Sequence, residues 1–401
     1  MPVKTYEYVI IGGGLAGGSA VQGIRELDKK GSILLIGGEQ HLPYDRPPLS
    51  KKLWFGQKKV EEIFLHPREF YDQSGVDLLL YTFVTSLDAK KKTITDDKGQ
   101  TFRYGKLLLA TGGVPTMLPI PGGDSKGICY YRNLDDYLRM RKEATEGKSA
   151  VVIGGGFIGS EIAAALTINK IKVTMLFPGS YICSHVFPKY LAGAMQQRFT
   201  QRGVNILTGD TPVSFARSGG RFITTTKAGK RIESDIVIVG IGIKPSVELA
   251  MGAGLQTGNG IVLNEYLQSS DADIYAAGDN ALFPYQVLGK EMRLEHWDCA
   301  LNQGKHAGRN MAGAREPFTY MPYFFSDLFE FGYEAVGEVN ADLETFADWQ
   351  KENDTGVIYY LKEGKVRGTM MCNVWDKVEA ARELIKKRQN SSPESLRDAI
   401  R

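Results

Sequence analysis

One glycine pattern occurs twice in this chain. Gly12, Gly14 and Gly17 stand in VIIGGGLAGG, and Gly154, Gly156 and Gly159 stand in VVIGGGFIGS, 142 residues later. Each copy follows a run rich in Val and Ile and precedes a helix-like stretch. In that setting the first glycine permits a tight turn, the second lets backbone approach a pyrophosphate, and the third lets helix and strand pack closely. The first N–H groups of the helix then face the phosphates. One copy implies a βαβ unit for one dinucleotide. Two copies imply a chain built to hold two, and the usual reason is to pass electrons between them.

The rest of the pattern fits around these two units. A chain of 401 residues is too long for one ordinary core, so two or three domains are expected. Residues 7–11, 14–28 and 33–36 read as strand, helix and strand, and 150–153, 157–168 and 172–177 repeat the arrangement. Residues 80–104 alternate apolar and polar around DDKG, as an antiparallel hairpin or meander does, and 204–240 looks similar. A short strand at 274–279 and a helix at about 298–312 return to the first domain's business. The expected fold is therefore α/β, with two Rossmann-like dinucleotide-binding domains, the second inserted in the first, and a C-terminal α+β domain. The boundaries are 1–117 with 247–316, then 118–246, then 317–401. The polar residues 389–401 are expected to fray.

Composition narrows the classes. A net charge of +3 gives no reason to expect nucleic acid. No apolar run approaches the ~20 residues that span a bilayer. A strand begins within a few residues of Met1, leaving no room for a targeting peptide, so a cytoplasmic location is expected. Cys129, Cys183, Cys299 and Cys372 are the four cysteines, the closest two 54 residues apart, which disfavours a local redox disulfide or a cysteine zinc site. No metal is expected.

The first fingerprint, GLAG at Gly14, Leu15, Ala16 and Gly17, does not by itself choose between dinucleotides. Two later segments do. LLLATGG, with Ala110, Thr111 and Gly112, resembles the ATG turn of FAD-binding folds, and SDADIYAAGDN resembles the segment whose acid, here Asp279, contacts the flavin ribityl chain. A carboxylate should end the second strand and hold the adenosine ribose. The strand ends IGGEQ, so Glu39 is the candidate, although Gly38 occupies the usual acid position if the register shifts by one. In LPYDRPPLSKKLWF two prolines stiffen the chain, placing Arg46 to neutralise pyrophosphate and Lys51 to reach the isoalloxazine.

Taken together, these motifs resemble the FAD-dependent pyridine nucleotide-disulfide oxidoreductase superfamily. RPPLSK narrows the likeness to its ferredoxin/rubredoxin reductase branch. RPPLSKKLWF, GGGFIGSEIA, RLEHWDCALNQGKHAGRNMAG, FFSDLFEFGYEAVGE and GVIYYLKEGKVRG are most similar to apoptosis-inducing factor-like flavoproteins, over nearly the whole chain. The resemblance implies that Glu161 pairs with Lys51, and that these two are the catalytic residues. It implies that Val84 and Arg132 contact FAD, and that His296 and Trp297 begin a helix aimed at the flavin pyrimidine end. It places Glu295, Glu334 and Asn373 near the nicotinamide nucleotide, and Phe325 stands where the family often has Trp.

The second fingerprint, with Gly155, Phe157 and Ile158 between and beside its glycines and Gly242 across the turn, should bind NAD(P)H. The resemblance places its discriminating acid at Gly179, and no Asp or Glu occurs from Lys172 to Gly209. There is no Arg in that loop, only His185 and Lys189, and Gly159 leans towards NADH. The expected activity is hydride transfer from NADH, weakly preferred over NADPH, to flavin and on to a small iron–sulfur protein such as ferredoxin or rubredoxin, a quinone or oxygen. The alternative is a redox-sensing protein in which reduction forms a long-lived charge-transfer complex and alters homodimerisation. A dithiol reductase fails on the cysteines.

Overall fold

The structure is a computed structural model and describes residues 3–400. The chain divides into two compact units. One comprises residues up to Asp45, Val60–Val114 and Lys244–Pro322; the other comprises Arg46–Lys59, Pro115–Ile243 and the residues from Tyr323 onward.

In the first unit a parallel sheet runs in the order Val76–Leu80, Ile33–Gly37, Lys4–Ile11, Thr101–Leu109 and Ile274–Ala276. Ile10, Leu34, Leu35, Leu107 and Leu108 are fully buried, as a sheet covered on both faces requires. Strands Val84–Asp88 and Thr93–Asp96 form an antiparallel extension onto Thr101–Leu109, the hairpin read from the alternation. Helices Leu15–Leu27 and Trp297–Met311 pack almost backbone to backbone. A Cβ at Gly23 would lie 1.9 Å from the Lys305 carbonyl oxygen, and one at Gly304 would lie 2.1 Å from that of Ala16.

The second unit holds another parallel sheet, in the order Asn205–Thr208, Lys172–Phe177, Ser149–Ile153, Ile236–Val239, Cys129–Tyr130. Its core gathers Val151, Ile153, Leu176, Val237 and Val239 with Phe215 and Phe222 from the three-stranded antiparallel sheet Pro212–Ser218, Arg221–Thr226, Arg231–Ser234. The same unit carries a five-stranded antiparallel sheet, Tyr323–Leu328, Phe331–Gly337, Lys365–Cys372, Thr355–Lys362, Glu344–Lys351, packed by helix Val378–Lys387.

Two readings change. Residues 46–59, grouped above with the first domain, belong to the second unit: Tyr131 and Tyr137 donate their hydroxyls to the carbonyls of Leu49 and Leu53, and Asn169 Nδ2 donates to that of Trp54 at 3.0 Å. Fraying does not extend through the tail. Leu396 is 1% and Ile400 2% exposed, and the Asp398 N–H donates to Asp348 at 2.8 Å, so apolar residues in a polar stretch anchor it; residue 401 lies outside the described residues.

Candidate functional site

The two glycine turns are built alike. Gly12 and Gly154 have φ of 126° and 123°, in the region that favours glycine, and their N–H groups donate to Ile36 and Leu176 at the neighbouring strand ends. A Cβ at Gly17 or Gly159 would lie 2.0 or 2.2 Å from the carbonyl oxygen of Gly12 or Gly154, so the third glycine lets the helix begin against the first. A Cβ at Gly14 or Gly156 would meet nothing within 4 Å. Each helix starts there without a side-chain cap or an acid in its first turn. Unfilled space above a helix N-terminus lined by backbone donors fits a pyrophosphate. Leu15 and Ala16 are buried behind the first turn. Ile158, 39% exposed, stands out from the second, where the Phe157 ring lies 5.2 Å from His185.

In the first unit, Glu39 accepts the Tyr44 hydroxyl at 2.5 Å. Gly38 is roofed by the Phe83 ring: a Cβ there would come within 2.5 Å of it, so an acid at that position would have to displace the ring. Val84 opens the strand that follows. On the other side of the turn, Asn280 Nδ2 donates to the Leu109 carbonyl and to Thr111 Oγ1, and Thr111 donates to the Ser246 carbonyl at 2.7 Å. These bonds hold Ala110, Thr111 and Gly112 beside Asp279, whose own carbonyl accepts from Arg293. Arg293 also pairs with Glu295 at 2.8 Å. His296 is the residue before helix Trp297–Met311, and Trp297 Nε1 donates to Asp45 at 2.7 Å. Burial pushes the His296 imidazole down to about 4 against the opposing charge of Asp279, so it is neutral at pH 7.

In the second unit a buried polar cluster surrounds Glu161. Lys51 Nζ lies 3.1 Å from Glu161 Oε1, with both side chains almost fully buried, and the Lys51 ammonium sits 4.5 Å from the centre of the Phe325 ring. Ser326 donates to Glu161 Oε1 at 2.5 Å and Ser50 donates to Oε2. Three donors and an aromatic face satisfy a charge pair that burial alone would penalise. The segment is preset by Pro47 and Pro48, which open the short helix Pro47–Ser50. Arg46 donates to the Arg132 carbonyl at 2.9 Å, and the Arg132 N–H is held by Asp136 in the capping box of the next helix. Sequence reasoning missed Ser50 and Ser326, although both sit inside quoted motifs, RPPLSK and FFSDL.

The remaining positions divide. Burial and the charge of Asp376 raise the Glu334 carboxyl, and its Oε2 is buried without a hydrogen-bond partner. Asn373 turns inward: its Oδ1 accepts from Gly332 and its Nδ2 donates to Asp354, so its amide braces the strand that carries Glu334. Gly242 has φ of 94° and accepts from Thr116. Gly179 has open surroundings, a Cβ there meeting only ordinary contacts from 3.6 Å outward. All four cysteines are free and buried, and burial holds the thiols of Cys129 and Cys183 up at about 12. Among the described residues no helix is long and apolar enough to cross a membrane.

Comparison with known proteins bears on this arrangement. The family model for pyridine nucleotide-disulphide oxidoreductases matches residues 6–304, and that for the C-terminal region of mitochondrion-associated apoptosis-inducing factor matches 307–355. The chain is 33% identical to peroxisomal monodehydroascorbate reductase 4 of Arabidopsis thaliana, covering 92% of this chain and 79% of that protein. It is 34% identical to mitochondrial apoptosis-inducing factor 1 of Dictyostelium discoideum, covering 96% and 79%. Among solved structures, a chain of the covalent putidaredoxin reductase–putidaredoxin complex superposes with a TM-score of 0.91 at 30% identity, covering 97% of this chain and 95% of that one.

Proposed function

Because the chain belongs to the pyridine nucleotide-disulphide oxidoreductases, NAD(P)H-dependent flavin oxidoreductases that use FAD, we propose that it carries reducing equivalents from NADH to a small iron–sulfur protein of the ferredoxin type. The observation that carries the reading is the pair of glycine turns built to one plan in a chain whose cysteines are all buried, single and protonated. Bound FAD and nicotinamide supply the hydride chemistry.

The chain's own residues bind and orient. Gly12, Gly14 and Gly17 with Glu39, Thr111 and Asp279 hold FAD. Gly154, Gly156 and Gly159 hold the nicotinamide nucleotide. Lys51 is the catalytic cation, and Glu161, Ser50, Ser326 and Phe325 keep its charge in position. His296, neutral at the start of helix Trp297–Met311, leaves the positive end of the helix dipole to stabilise negative charge. Glu334 serves the nucleotide side, and Asn373 positions it.

The NADH preference rests on Gly159, and Gly179 in place of an acid keeps it small. With no acid at the strand end, discrimination against a 2′-phosphate is weak, so NADH should lead NADPH by a small factor. The likeness to a reductase held covalently to putidaredoxin favours an iron–sulfur acceptor over a quinone or oxygen. Stopped-flow reduction by NADH and NADPH, then reoxidation by ferredoxin, rubredoxin, quinone and oxygen, tests all of this. Fast reoxidation by an iron–sulfur protein is expected, and Gly179→Glu should widen the NADH preference on the order of tenfold. Slow reoxidation by every carrier, with a shift in oligomeric state on reduction, would replace the enzyme reading with the redox-sensing one.

A further inference from the structure

We propose that Phe83 is the stacking platform for the adenine of FAD, beside the strand end whose Glu39 serves the ribose. The carboxyl edge of the first sheet shows an ordered run. The Gly12–Gly14 turn comes first. Gly37 lies against it, since a Cβ at Gly37 would be 3.2 Å from the Gly13 Cα. Gly38 and Glu39 follow, and the Phe83 ring lies on Gly38, 2.5 Å from where its Cβ would stand. A dinucleotide whose pyrophosphate occupies the turn directs its adenosine towards the end of the second strand. Beyond the ribose, that path leads to the Phe83 ring.

The backbone under the ring is held, and the ring is open. Phe83 is 58% exposed, a large apolar surface to leave in water. Its backbone is clamped all the same. The Phe83 N–H donates to Asp97 Oδ1 at 3.3 Å, and its carbonyl accepts from the Asp97 N–H at 2.7 Å. Thr82, 3% exposed, donates to the Gly37 carbonyl, and Tyr81 donates to that of Glu39, both at 3.0 Å. The segment is therefore tied, residue by residue, to the strand end that serves the ribose. A flat ring on a clamped backbone, lying on Gly38 and otherwise exposed, matches what a purine base requires. Stacking on Phe83 would add to the affinity that Glu39 gives through the ribose.

The inference rests on the first turn holding FAD. The test follows FAD release from diluted holoprotein by flavin fluorescence, alongside FMN uptake by the protein stripped of flavin. Phe83→Ala and Phe83→Leu should release FAD about tenfold faster than the wild type, Phe83→Trp should retain it, and FMN affinity, which involves no adenine, should not change in any of them. A Phe83→Leu variant that keeps FAD like the wild type would reduce the ring to a cover for Gly38, and a parallel loss of FMN would mark a structural defect; either result overturns the proposal. Identifying the flavin that heating releases from the wild type separates the two levels. FMN there would remove the FAD assignment itself, whereas FAD there with an inert Phe83 would remove only the platform.

Discussion

Glu161 accepts three hydrogen bonds inside a protein core, and its neighbour Lys51 has a positive charge with almost no access to water. Removing the carboxylate altogether would leave a buried ammonium unpaired, which costs about 3–5 kcal/mol. Glu161→Ala therefore mixes loss of fold with loss of function. Glu161→Gln keeps the shape and an acceptor while removing the charge. It should lower the rate of NADH-driven flavin bleaching at least tenfold, with a smaller fall in melting temperature than the alanine variant. An unchanged bleaching rate in a folded Gln variant would take Glu161 out of the site and leave it a core residue. The Lys51–Glu161 pairing was legible from two quoted motifs. The serines that complete it were not, because a serine has many reasons to stand in a loop and only the fold brings Ser50 and Ser326 to one carboxylate. Gly38 gives the converse case. The sequence leaves it open as an acid position, and the Phe83 ring lies in the space that an acid's Cβ would take.

Helices in this chain work largely through their first residues. Leu15–Leu27 and Phe157–Ile168 begin uncapped over open space, and Trp297–Met311 begins at His296. The imidazole at that start is held neutral by burial, its pKa lowered from 6.5 to about 4. The unfolded chain takes up this proton near pH 6.5 and the folded chain only near 4, so between those values the unfolded state binds more protons. His296 therefore contributes stability that is fully present above about pH 6.5 and lost as the pH falls towards 4, by about 3 kcal/mol in all. Burial also lowers His66 and His185, which adds to the same trend. Urea unfolding at pH 7 and pH 5 should show a smaller loss in His296→Gln than in the wild type. Equal losses would mean that the imidazole is solvated in the folded protein. The strands and helices of the two βαβ units were readable because burial on both faces leaves long apolar runs. Strands Tyr323–Leu328 and Glu344–Lys351 were not identified, since they mix aromatic and polar residues, and Glu344–Lys351 lies at a sheet edge where one-sided packing blurs the pattern.

At the scale of the whole molecule, the C-terminal sheet and the second glycine-turn sheet share one compact unit. Ser326 reaches Glu161, Tyr360 donates to the Val186 carbonyl at 2.7 Å, and Arg198 pairs with Asp354 at 3.3 Å. The tail closes this unit through Leu396 and Ile400, so Leu396→Ala should destabilise the protein by about 2–5 kcal/mol in denaturant unfolding. A loss below about 0.5 kcal/mol, the range of an ordinary surface substitution, would restore the frayed tail. The sequence by itself determined what is local and repetitive: two glycine turns, the parallel strands beside them, the stiff RPPLSK segment and the absence of a cysteine pair. Each of these is dictated by backbone sterics or by neighbours a few residues away. Only the tertiary structure decided which unit owns residues 46–59, that Phe83 takes the space of a side chain at 38, and that Ser50 and Ser326, far apart in sequence, share one carboxylate. Those outcomes depend on packing between segments distant in sequence, and spacing along a chain does not encode which distant surfaces will meet.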